Sequence, residues 1–112
     1  MKDGHHVVWI PANPDRPNMF WGKLTPDPET NWLRACLLMH PGSYENEDGV
    51  PATLMVHCLQ GKGTFFMGRD GMPIDFFEDT VIRIPAHTQY CIGPVEELTM
   101  LNFHWPPRLR SL

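Results

Sequence analysis

The chain has 112 residues, with 9 Lys and Arg against 13 Asp and Glu, a formal charge of −4 and 42% hydrophobic residues. That length fits one domain with a buried core and leaves no room for two. The acidic balance, with no basic stripe, argues against nucleic acid and anionic membrane as partners and leaves small or neutral ligands as the better fit.

Cys36, Cys58 and Cys91 are odd in number and lack CxxC spacing. With no hydrophobic signal-type run at the start, they read as reduced thiols of a cytoplasmic protein. No apolar run approaches the ~20 residues that span a bilayer.

Twelve prolines and nine glycines separate short apolar runs, which predicts an all-β chain with little helix. In chain order the expected strands are His5 to Ile10, Trp32 to His40, Thr53 to Gln60, Gly63 to Gly68, Thr80 to Ile84, Gln89 to Ile92 and Leu98 to Trp105. Such short strands suggest a sandwich or barrel. Arg69-Asp70-Gly71, between "TFFM" and "PIDFF", is the best hairpin signal because Asp-Gly supplies positive φ. Pro11 to Asn31 holds five prolines around Phe20 and Trp21, and reads as an extended arm whose aromatics pack onto the barrel or a second subunit. The run Glu45, Glu47, Asp48 reads as a solvated loop.

From Trp32 onward four pieces occur in a specific order. These are "LLMHPGS", "HCLQGKGTFFMG", "DTVIRIPAHTQY" with Pro85, and "ELTMLNFHWPPR". In order and spacing they resemble the cupin superfamily over roughly the last two-thirds of the chain. The resemblance implies a single-domain jelly-roll β-barrel over residues 32–112, preceded by a strand and proline-rich arm over 1–31. Metal-binding cupins bring three imidazoles and an oxygen ligand together in the barrel, a set suited to Fe, Mn, Ni or Zn. Here the acidic position falls on Leu54 and the histidine pair near Val50 and Ala52. The third histidine position falls on Tyr90, while His87 stands at a turn position usually held by glycine. The usual metal set is therefore missing, and the expectation is no metal and no other cofactor.

Strand alternation turns the alignment into a pocket. If Leu54 faces inward, so do Val56 and Cys58, and His57 faces outward; Tyr90 and Ile92 then also face inward. His104 and Asn102 share one face of the last strand, and that face toward the lumen would add an imidazole and a carboxamide, although Phe103 and Trp105 compete for burial. The expected catalytic set is Tyr90, His104 and His87, with Leu54, Val56, Cys58, Ile92 and Asn102 binding substrate. Each has a plainer reading: Tyr90 as a core tyrosine, His87 as a turn residue, His104 as a core histidine, and Cys58 as a small hydrophobe with no nearby cation to activate it.

The favoured function is a metal-independent small-molecule enzyme performing isomerisation, cyclisation or elimination by proton transfer. The alternatives are a metal-dependent dioxygenase, lyase or isomerase with unusual His and carboxylate ligands, or a catalytically silent sensing module. The aromatic arm and the outer face of the Thr53 to Gln60 strand suggest a homodimer.

Overall fold

A computed structural model describes residues 8–13, 16–23 and 32–105, and these form an all-β fold. Among them are ten strands: β1 (Val8–Asn13), β2 (Arg16–Lys23), β3 (Leu33–Met39), β4 (Glu45–Glu47), β5 (Leu54–Gln60), β6 (Lys62–Met67), β7 (Met72–Phe77), β8 (Val81–Ile84), β9 (Tyr90–Ile92) and β10 (Thr99–Trp105). They pair antiparallel in two sheets, in the orders β1-β2-β3-β10-β5-β8 and β4-β9-β6-β7. The crossing of chain order between the sheets is that of a jelly roll, in which neither sheet can bury its apolar face without the other.

Alternation drives the packing. On β5 Leu54, Val56 and Cys58 are buried, while Met55 and His57 are only half-buried. On β10 Thr99, Leu101 and Phe103 are buried. Leu54, Val56, Cys58, Leu101 and Phe103 join Leu37 and Met39 of β3, Ile82 and Ile84 of β8, and Phe65, Phe76, Tyr90 and Ile92 of the small sheet in one core.

The expected Asp-Gly hairpin joins β6 to β7. Met67 pairs with Met72 across residues 68–71, and Gly68 and Gly71 take φ of 76° and 65°. Three elements depart from the sequence reading. Residues 16–23 of the proline-rich stretch form β2, which pairs with β3, and Trp21 packs against the core at 5.3 Å from the Phe103 ring. Glu45–Glu47 is not a loop but the edge strand β4, held by β9. The first strand runs on to Asn13, and the expected start at His5 lies outside the described residues.

Candidate functional site

The site begins with β9. Its three residues alternate buried, half-buried, buried, so Tyr90 and Ile92 enter the core and Cys91 faces away. Leu54, Val56 and Cys58 reach the same interior from β5. Five of the expected site residues are therefore together. Phe65 and Phe76 also fill this space, edge to face at 5.3 Å, and Phe65 lies 5.9 Å from the Tyr90 ring. Their inward parity on β6 and β7 follows once the hairpin register is known, but the Phe-Phe doublets hide it in the sequence.

Tyr90 is 5% exposed, and its ring lies among the buried apolar side chains of the core. A phenol carries one polar group into this apolar interior, where a hydrogen bond it makes is stronger than in water. Burial pushes its pKa well above the usual tyrosine range, and the charges of Glu47 and then Glu45 push it further. The cause is visible in the sheet: Glu47 pairs directly with Tyr90, and Glu45 with Ile92. The phenol is therefore held protonated through neutral pH, where it can donate a hydrogen bond or serve as a general acid. The sequence reading placed these two carboxylates in a solvated loop, and only the pairing of Glu45–Glu47 with β9 brings them level with Tyr90 and Ile92. Glu47 also accepts a hydrogen bond from the Asp48 N–H at 3.1 Å.

The histidines do not join this group. Leu101 and Phe103 take the core face of β10, because a large aromatic gains more from burial than an imidazole does. Asn102 and His104 thus stand on the opposite face, where they pair with His57 and Met55 of β5. The expected lumen placement of these two residues does not occur. Nor does His87 enter the interior: it is exposed in the turn after Pro85, with φ of 60°, and its N–H donates to the Val50 carbonyl at 2.7 Å. That bond seats the turn on the 48–50 segment. At Gly49 a Cβ would lie 2.9 Å from the His87 carbonyl carbon, so the close approach depends on glycine. His57 faces outward as its parity requires and lies 3.3 Å from Asp79 Oδ1.

The donors around Tyr90 do not fit a metal. Its buried neighbours are aliphatic, aromatic or Cys58, whose thiol donates to the Gln60 and Gly61 carbonyls and is pushed up by burial. Among the described residues no three His, Cys, Asp or Glu are placed to hold an ion. Among them, too, no helix is long and apolar enough to cross a membrane.

Two packed antiparallel sheets in this order make a jelly-roll barrel, and solved structures that include cupin proteins share this fold. A cupin 2 conserved barrel domain protein from Rhodopseudomonas palustris superposes with a TM-score of 0.76 at 16% identity, over 95% of this chain and 74% of that one. A predicted oxalate decarboxylase from Thermotoga maritima gives 0.70 at 14% identity, over 93% and 95%. DMSP lyases give 0.77 at 12% identity over 96% of this chain, which spans 60% of the length of that chain. No protein-family model and no curated protein matches the sequence.

Proposed function

We propose that the protein is a small-molecule enzyme of the cupin fold that carries out metal-independent proton transfer, of the isomerase, cyclase or lyase kind, with Tyr90 as the donor. One observation carries the reading: a nearly fully buried phenol, held protonated by burial, in register with a cross-strand carboxylate. Similarity to proteins described as lyases and as a predicted decarboxylase supports the same class.

In this mechanism Leu54, Val56 and Ile92 exclude water from the reacting group. The low dielectric strengthens the hydrogen bond that Tyr90 gives to a carbonyl or leaving-group oxygen. Glu47, in register with Tyr90 on the adjacent strand, is the carboxylate that takes a proton from a substrate carbon or hydroxyl in this reading.

The test starts with a thermal-shift screen of small carbonyl compounds and carboxylic acids. With a hit in hand, Tyr90→Phe is expected to change stability by no more than about 1 kcal/mol, the size of one net hydrogen bond, and to reduce turnover by on the order of 10². His57→Ala, on the outer face, is expected to cost under about 1 kcal/mol and leave turnover intact. Full activity in Tyr90→Phe removes this reading. Stoichiometric Fe, Mn, Ni or Zn in protein purified without a His-tag favours the metal-dependent alternative instead.

A further inference from the structure

The second sheet has a face that the interior reading does not use. On β6 Lys62, Thr64 and Phe66 point away from the core, and on β7 so do their partners Phe77, Asp75 and Pro73. Phe66 and Phe77 are 37% and 64% exposed, and a groove of about 520 Å³ runs between them, within the ~300–1,000 Å³ of small-molecule sites. Four residues separate the levels of the two rings, about 13 Å at the usual strand rise, so the groove is longer than one sugar ring.

Its side wall is the 93–96 segment, tied to β6 by the Gly93 N–H donating to the Thr64 carbonyl at 2.9 Å. A Cβ at Gly93 would come within 3.0 Å of the Phe66 ring, so glycine lets that ring lie against the wall. In the floor the Thr64 hydroxyl donates to Asp75 Oδ1 at 3.0 Å, fixing the carboxylate with its second oxygen available. Lys62 and Glu96 complete the lining.

We propose that this groove binds a neutral polyhydroxylated ring compound, a short saccharide, independently of the interior. The charges decide the class. Two carboxylates, Asp75 and Glu96, oppose an anionic ligand, and Lys62 offsets part of the pull they exert on a cationic one. A neutral polyol gains from both signs: the ammonium donates to its hydroxyls and the carboxylates accept from them. Its C–H faces then lie on the two phenyl rings.

Cellobiose, maltose and lactose, titrated while the phenylalanine ring signals are followed by ¹H–¹³C NMR, test this, with choline and phenylacetate as charged comparators. At least one disaccharide is expected to shift the Phe66 and Phe77 signals with millimolar affinity. Phe77→Ala and Asp75→Asn are each expected to weaken that binding about tenfold or more while melting with the wild type. Tyr90→Phe, which removes the interior donor, is expected to leave it unchanged. The proposal is overturned if none of the three sugars shifts these signals, if only choline or phenylacetate does, or if binding survives Phe77→Ala.

Discussion

Cys36 shows how a residue on the wrong side of a parity argument can still titrate like a core group. It alternates with Leu37 and so faces out from β3, yet it is buried, flanked in register by Gly22 of β2 and Asn102 of β10. Burial pushes its thiol from the ordinary 9.0 up to about 11. The folded chain therefore holds a proton that the unfolded chain releases first. This contribution is complete below pH 9 and declines as pH rises toward 11, by about 1.4 kcal/mol per unit across that window. Urea denaturation between pH 8 and about pH 10.5 is expected to show a steep alkaline loss of stability that becomes shallower in Cys36→Ala. An identical slope in the variant would place the loss elsewhere. Tyr90, raised in the same direction, contributes above the ordinary tyrosine range and so only at the alkaline end.

Among the elements, the glycine turns separate two kinds of requirement. Gly61, between β5 and β6, has φ of 91°, and a Cβ there would lie 2.8 Å from both the Leu98 carbonyl oxygen and the Thr99 Cα. Gly71, in the β6–β7 hairpin, has φ of 65° and open space around it. Gly71→Ala is expected to cost about 1–2 kcal/mol for the left-handed backbone alone. Gly61→Ala adds the backbone clash and is expected to reach about 3 kcal/mol or more. Urea midpoints check the difference, and equal costs would mean that the close approach at Gly61 relaxes freely.

The same elements mark what the sequence could reveal. The hairpin was legible because Asp70-Gly71 has a local conformational reason to turn, and the inward set of β5 because every second residue from Leu54 is apolar. β4 was not legible: Glu-Asn-Glu has no apolar alternation, and only pairing with β9 makes it a strand. β2 was hidden by the prolines around it, although Met19 is fully buried in the core. The side of β10 that carries His104 depended on a packing contest that Phe103 wins, which strand periodicity alone does not decide.

At the scale of the whole molecule, the homodimer expected from the sequence loses one of its supports. Trp21 packs on the core against Phe103, and the outer faces of β5 and β8, where Leu59 and Val81 are 38% and 56% exposed, offer one remaining apolar surface for a second copy. Light scattering at high micromolar concentration is expected to give twice the 12.9 kDa chain mass, and Leu59→Lys with Val81→Lys is expected to give the monomer. A monomeric wild-type chain would end that expectation.

The doublets Phe65-Phe66 on β6 and Phe76-Phe77 on β7 have a consequence for how the chain finds its fold. A one-residue slip of β6 and β7 together would exchange the inner and outer rings and still present two phenylalanines to the core, so aromatic burial scarcely distinguishes the right pairing from the wrong one. What distinguishes them is the charge between the rings. The slipped hairpin would carry Lys62, Thr64 and Asp75 into an apolar interior, and that desolvation cost closes an alternative registry which the hydrophobic pattern alone leaves open.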